Sequence, residues 1–188
     1  MMKTSSTWSR RVLALVAAGG LAFSMHSRGG SSMRIESAAF SHNGAIPSRY
    51  TCDGEDLSPP LAWSEVPERT KSLVLIVDDP DAPDPKAPKT TWVHWVLYNI
   101  PPSAPGLSEG IAPEKLPAGT LQGQNDWKRT GYGGPCPPVG QHRYFHKLYA
   151  LDTVLPDLGQ PDKRRIEQAM QGHVLAEAQL VGLYQRRR

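Results

Sequence analysis

The sequence predicts an all-β fold with one or two short peripheral helices and long loops. The chain has 188 residues, a length typical of one domain that can bury its own core. Its 18 Pro and 17 Gly indicate many turns, and several short segments carry apolar residues at every second position, as strands do. Much of the net charge of +3 comes from the two ends of the chain, so we predict no nucleic-acid partner.

Residues 1–32 are predicted to be an export signal followed by a short linker. Basic residues precede an apolar segment over 12–23, and small and polar residues follow it. This order is typical of a secretory signal, and the apolar segment is short for a bilayer span. We therefore expect a domain over 33–188, a periplasmic or secreted location, and no integral membrane segment in the mature protein. The alternative is translation from Met33, which would leave the protein in the cytoplasm.

The first elements of the domain are a weak strand over 34–40, a loop-rich stretch over 46–63 and a strand over 73–77. The third of these consists of five aliphatic residues and is bounded by proline, which is typical of a strand buried on both faces. Asp79 and Asp81 follow it at a corner stiffened by proline. We therefore expect two carboxylates at the mouth of a core strand, with partners from elsewhere in the chain.

The next two predicted strands carry the histidines. Residues 92–99 alternate so that one face holds Trp92, His94, Val96 and Tyr98 and the other holds Val93, Trp95, Leu97 and Asn99. After an irregular stretch over 101–140, whose length is typical of functional or disordered loops, residues 142–152 alternate again. This second strand is expected to place His142, Tyr144 and His146 on one face.

The last elements are a short helix and a strand. Residues 162–171 are predicted to be helical because Pro161 precedes them and Gly172 follows. Residues 174–184 place apolar side chains at every second position, so we predict a strand there.

The candidate functional residues are the acidic corner and the buried imidazoles. An Asp beside two imidazoles can bind a metal, orient a histidine that activates the Cys136 thiol, or hold an imidazole whose other N–H points at an anion. A compact metal-ligand motif is absent, and Cys136 lies between prolines without a helix N-terminus to lower its pKa. Tyr144 and the glycine turns before His142 offer donors, which favours the anion site over a cluster that only packs.

Three motifs carry a family resemblance: DPDAP over 79–83, WVHW over 92–95 and GPCPPVGQHRYF over 134–145. Together they resemble the phosphatidylethanolamine-binding protein family, and flanking segments such as YTCDGEDLSPPLAW resemble its bacterial Raf kinase inhibitor-like branch. The resemblance covers residues 34–184. It implies a β-sandwich of antiparallel sheets with a small pocket for phosphate-like groups at one end.

The family pattern implies the site residues by position. It assigns the ligand site to Asp79, His94, Gly134, Pro135, Cys136, His142 and Tyr144. The carboxylate is expected to orient the imidazoles without touching the anion. Cys52 and Cys136 both stand in loops near the pocket mouth, so we expect them to lie close together and to form a disulfide on export. The chain stops soon after Tyr184, where eukaryotic relatives add a helix, so a more open mouth is expected.

We therefore predict a non-enzymatic binding protein for a small phosphate-like or phospho-head-group anion, without cofactor or metal, with modulation of a partner protein as a further role. Anion affinity is expected to depend on His142 and to fall as pH rises. The rival hypothesis is a hydrolase that uses His94 or His142 as base, with Cys136 or a bound metal as the chemical partner. The sequence does not explain His146, which stands where the family usually has an apolar or aromatic residue.

Overall fold

The computed structural model describes Met1 and residues 32–187, so the predicted export signal lies outside the described residues apart from its ends. In chain order the strands are β1 (Arg34–Glu36), β2 (Gly44–Ala45), β3 (Leu61–Ser64), β4 (Ser72–Asp79), β5 (Trp92–Ile100), β6 (Gly106–Leu107), β7 (Leu121–Gln122), β8 (His142–Leu151) and β9 (Val174–Tyr184). One α-helix, α1 (Lys163–Met170), precedes β9. Within this described part, no helix has the length and apolar character needed to cross a membrane.

The strands form two sheets. The larger has the order β2-β9-β8-β4-β5-β7, and the smaller has the order β1-β3-β6. A core of aliphatic and aromatic side chains from both sheets lies between them, including Ile35, Trp63, Leu75, Leu97 and Leu148. A second cluster covers the other face of the large sheet, where Ile166 and Met170 of α1 pack with residues of β4 and β5. The predicted all-β sandwich with a short peripheral helix is therefore consistent with the structure.

The central strand is buried along its whole length. Every residue of β4 is buried, because β5 and β8 flank it and one core cluster covers each of its faces. The predicted strand over 73–77 is confirmed and extends to Asp79. The predicted strands over 142–152 and 174–184 and the helix over 162–171 are confirmed as well. The weak first strand is shorter than predicted and ends at Glu36.

The large sheet is not purely antiparallel, contrary to the prediction. β2 runs parallel to β9, pairing Gly44 with Gly182 and Ala45 with Leu183, while the other pairings are antiparallel. A tight turn with Asn43 at φ 60° delivers this two-residue strand to the edge of β9. A Cβ atom on Gly182 would lie 2.5 Å from Ile46, so glycine permits the close approach.

The alternation of β5 is interrupted at His94. Trp95 pairs with Val77 and Val93 pairs with Asp78, so His94 has no register partner on β4. Such a β-bulge turns a side chain away from the face that strict alternation assigns to it. The His94 ring contacts Tyr144, a residue of the core between the sheets. The predicted grouping of His94 with Val96 and Tyr98 on one face is therefore wrong, since those two residues belong to the cluster beneath α1.

Candidate functional site

A pocket of about 340 Å³ opens where β4 ends and where β5 and β8 begin. Antiparallel pairing brings these three strand ends together, although they are far apart in the chain. The pocket wall consists of Asp79, Ala82, Pro83, Trp92, His94, Trp127, Cys136, Pro137, Pro138, His142 and Tyr144. The three family motifs thus meet in one cavity.

Asp79 and His142 form the most buried polar pair of this wall. The Oδ2 atom of Asp79 lies 2.7 Å from Nδ1 of His142, and side-chain exposure is 5% for the Asp and 0% for the His. The other carboxylate oxygen, Oδ1, accepts the backbone N–H of Asp81 at 2.8 Å. Both oxygens of Asp79 are therefore occupied inside the protein, so this carboxylate orients His142.

The second nitrogen of His142 also faces an acceptor. Its Nε2 atom lies 3.1 Å from the backbone carbonyl oxygen of Val139. Each ring nitrogen of His142 therefore faces an acceptor, the Asp79 carboxylate at Nδ1 and the Val139 carbonyl at Nε2.

The other two aspartates of this corner have separate partners. Arg143 binds Asp81 with two guanidinium contacts, Nε to Oδ2 at 2.9 Å and Nη2 to Oδ1 at 2.7 Å. This hydrogen bonding, only partly opposed by burial, lowers the pKa of Asp81. Asp78 points to the opposite face of the sheet, where Lys147 and Lys163 hold it. The three acids of this corner therefore have different partners, and of the three only Asp79 lines the pocket.

His94 contributes a neutral imidazole. Burial lowers the pKa of His94, although the Gly133 carbonyl and the negative charge of Asp79 oppose that shift. Its Nδ1 atom lies 2.6 Å from the carbonyl oxygen of Gly133, which assigns the proton to Nδ1. Nε2 is then an acceptor, and no hydrogen-bond partner for it exists among the described residues.

Tyr144 contributes a hydroxyl without a partner. The side chain is 1% exposed, and its hydroxyl oxygen makes no hydrogen bond to any described residue. Burial, reinforced by the nearby charge of Asp79, raises the pKa of Tyr144, so the hydroxyl keeps its proton. A buried polar group without a partner is uncommon in folded proteins. The pocket wall therefore holds one O–H donor that the protein itself does not satisfy.

The loop after β7 forms the outer wall. Trp127, 40% exposed, contacts the rings of Trp92 and His94 edge-to-face. The sequence analysis missed Trp127, because an aromatic residue in a long loop shows no periodicity; its placement in a proline- and glycine-rich stretch was the available signal. A Cβ atom on Gly133 would lie 2.6 Å from the Trp127 ring, so this glycine lets the loop close on the indole.

Cys52 and Cys136 are joined in a disulfide. Cys136 lines the pocket, but its sulfur is bonded to Cys52 and cannot act as a nucleophile in this state. Two predicted site residues do not reach the pocket wall. Gly134 donates its N–H to Oδ1 of Asp56 at 2.7 Å, and the carbonyl of Pro135 accepts from the N–H of Cys52 at 3.1 Å.

Two further histidines lie outside the pocket. His146 is buried against the Phe40 ring, and neither of its ring nitrogens has hydrogen-bond geometry to a described residue. Burial lowers the pKa of His146 to about 4. His173 lies at the surface, where Nδ1 is 2.8 Å from Oδ1 of Asp152. Across residues 32–187, no group of three or more His, Cys, Asp or Glu side chains is arranged as a metal site.

Comparison with known proteins places the chain in a family. Residues 36–185 match the phosphatidylethanolamine-binding protein family. A protein of Methanothermobacter thermautotrophicus called UPF0098 protein is 54% identical over 155 residues, which is 82% of this chain and 99% of the relative. A crystal structure of a phosphatidylethanolamine-binding protein homologue from Chlamydia trachomatis is similar, with TM-score 0.76, 42% identity and coverage of 83% of this chain and 99% of that one.

A second solved structure extends the comparison to another bacterium. E. coli YbcL, described as a new member of the mammalian family, matches with TM-score 0.75 and 30% identity over 84% of this chain and all of its own. The shared fold, the convergence of the three motifs and these sequence identities lead to one conclusion: the chain belongs to the phosphatidylethanolamine-binding protein family.

Proposed function

We propose that the pocket binds a small anionic ligand, phosphate or a phosphorylated head group, and does not convert it chemically. Membership of a binding-protein family supports a binding role. The observation that carries the anion proposal is the Tyr144 hydroxyl, a buried donor without a partner on the wall that also holds the His142 imidazole. An acceptor-rich ligand would satisfy that hydroxyl.

His142 supplies the second donor of the proposed site. Its Nε2 atom lies 3.1 Å from the Val139 carbonyl oxygen, and Val139 itself is 39% exposed on the loop before β8. A phosphate oxygen that displaced this carbonyl would exchange a neutral acceptor for a charged one. Hydrogen bonds to charged groups are worth about 1.5–3 kcal/mol, against about 1 for neutral pairs. The exchange therefore favours an anion over a neutral ligand.

The attraction is directional, because the Tyr144 hydroxyl and the His142 ring line the pocket while Asp79 is turned toward the imidazole. Asp79 has both oxygens occupied and faces the imidazole, so it does not present a free oxygen to the ligand. Aromatic and proline side chains, among them Trp92, Trp127 and Pro137, form much of the remaining wall, beside the acceptor Nε2 of His94. They suit the organic part of a phosphorylated molecule, as in other ligand pockets with few polar groups on an apolar wall.

The test is calorimetric titration of the protein with inorganic phosphate and with phosphoethanolamine. Tyr144→Phe is expected to weaken both ligands by about tenfold or more, which corresponds to about 1.4 kcal/mol for a lost hydrogen bond to a charged group. Tyr98→Phe is the matched control, because it removes a buried hydroxyl that bonds the Gly159 carbonyl outside the pocket. Affinity for both ligands is also expected to fall as pH rises, which the same titration measures at several pH values.

Two outcomes contradict the proposal. One is phosphate affinity that Tyr144→Phe leaves unchanged; the other is the absence of measurable heat with either ligand. Binding of phosphoethanolamine without phosphate would assign the affinity to the organic part and would also refute an anion site.

A further inference from the structure

A second cavity, of about 190 Å³, is lined in part by the same loop as the pocket: Gly131 and Tyr132 line the cavity, whereas Trp127 and Cys136 line the pocket. Its wall consists of Asp56, Leu57, Ser58, Trp95, Gly110, Ile111, Pro113, Leu116, Gln122, Gly131 and Tyr132. None of these residues lines the pocket described above. The aliphatic, proline and aromatic members form an apolar body. Besides Tyr132, whose hydroxyl donates to the backbone carbonyl oxygen of Tyr50 at 2.9 Å, four polar side chains stand on it: Asp56, Ser58, Trp95 and Gln122.

Three of the four polar side chains make no hydrogen bond to any described residue. Trp95 is 2% exposed, and its Nε1–H is buried without an acceptor. The hydroxyl of Ser58 and the amide of Gln122 likewise have no protein partner among residues 32–187. An indole N–H can only donate, so a molecule that satisfies Trp95 must bring an acceptor. An unpaired buried donor costs about 1–3 kcal/mol, which such an acceptor would recover.

The fourth polar group, Asp56, sets the charge of the cavity. Its Oδ1 accepts the N–H of Gly134, and its Oδ2 lies 4.0 Å from a guanidinium nitrogen of Arg129. A carboxylate partly balanced in this way still accepts hydrogen bonds but repels anions. The cavity therefore differs from the anion pocket, because it presents a donor at Trp95 and an acceptor at Asp56.

We propose that this second cavity binds a small neutral molecule with an acceptor and a donor on one short apolar body, the chemistry of a primary carboxamide. The carbonyl oxygen would accept from Nε1–H of Trp95, and the amide NH₂ would donate to Asp56 or Gln122. The aliphatic part would lie against Leu57, Ile111 and Leu116. This site shares no wall residue with the proposed anion pocket, and its ligand would be neutral, whereas the ligand of the pocket would be an anion.

Butyramide is the probe, and butyrate is the control of nearly equal shape that lacks the donor and carries a charge. The readout is the tryptophan indole region of ¹H–¹⁵N spectra of the full chain, with the Trp95 signal assigned from Trp95→Phe. Butyramide is expected to shift the Trp95 signal saturably and to leave the signals of Trp92 and Trp127, in the anion pocket, in place. Butyrate should bind at least about tenfold more weakly, because it has no amide N–H and makes one hydrogen bond fewer.

A variant that leaves the core packing intact shows whether a loss of butyramide affinity comes from this cavity or from a less stable core. Gln122→Ala shortens a half-buried side chain on the short edge strand β7, and we expect it to weaken butyramide severalfold. Should Trp95→Phe not fold, the Trp95 signal is assigned by sequential experiments and Gln122→Ala carries the test. The proposal is overturned when the Trp95 signal does not move, when butyrate moves it equally, or when a crystal grown with butyramide shows only water at Nε1.

Discussion

Two histidine–aspartate pairs with nearly the same geometry lie in different surroundings. His142 and Asp79 are 2.7 Å apart and almost completely buried at the pocket, whereas His173 and Asp152 are 2.8 Å apart with side chains 47% and 44% exposed. In water the exposed pair exchanges one set of hydrogen bonds for another, and solvent screens its charges. In the core neither partner has that alternative. We therefore expect burial, and not the distance, to determine how much such a pair contributes to the free energy of unfolding.

The largest expected difference concerns stability. Asp79→Ala leaves His142 buried without its carboxylate and also removes the acceptor of the Asp81 N–H, so we expect a loss of about 3–5 kcal/mol. Asp152→Ala is expected to cost at most about 1 kcal/mol. Urea unfolding at neutral pH measures both. Equal losses for the two variants would show that burial does not increase the contribution of the Asp79–His142 pair to the free energy of unfolding.

The next difference concerns ligand affinity. His142→Ala removes a donor that the proposed anion site needs, and we expect phosphate affinity to fall by about 1.5–3 kcal/mol. His173→Ala removes the same type of residue from the surface pair and should leave the affinity unchanged. Calorimetry with phosphate on the two variants provides the comparison. Phosphate binding that survives in His142→Ala with parental affinity would make this histidine a structural residue only.

A third histidine has no acidic partner and extends the comparison to pH. The pKa of His146 is lowered from 6.5 to about 4, because burial disfavours the charged ring. The unfolded chain takes up a proton near pH 6.5 and the folded chain only near pH 4, so stability falls as pH falls between these values. At pH 5 the loss relative to pH 7 is about 2 kcal/mol.

His146→Met is expected to remove this dependence, since an apolar side chain of similar size does not titrate in this range. Unfolding by urea at pH 7, 6 and 5 for parent and variant gives the two slopes. His173→Ala, measured in the same series, is the control for replacing an exposed histidine. Parallel slopes for the parent and His146→Met would mean that His146 is not held neutral in the fold.

The smallest effect is expected at the surface pair itself. Because solvent screens charges that are almost half exposed, raising the salt concentration should reduce the contribution of His173 and Asp152 to a few tenths of a kcal/mol. The stability difference between parent and Asp152→Ala should therefore shrink in salt, while the difference between parent and Asp79→Ala persists. Thermal unfolding at low and high salt measures both. A salt-insensitive difference for Asp152→Ala would indicate a packing role for that side chain.

The amino-acid sequence by itself determined the elements whose signals are local. Five aliphatic residues before a proline corner predict β4, alternation predicts β8 and β9, and Pro161 before the segment with Gly172 after it predicts α1. Motif order was sufficient to group Asp79, His94, His142 and Tyr144, which the structure brings together on one wall. These features depend on neighbouring residues or on a shared family pattern, and both are visible along the chain.

Only the tertiary structure decided what depends on a partner strand. The bulge that turns His94 to the pocket face arises from the register of β5 against β4, so no periodicity within 92–99 shows it. The parallel direction of β2 arises from the turn that delivers it to β9. Three neighbouring acids have different partners: Asp79 contacts His142, Asp81 binds Arg143 and Asp78 binds two lysines. These partners come from β8 and α1. Burial, register and partner identity are properties of distant segments in contact, and a single segment cannot specify them.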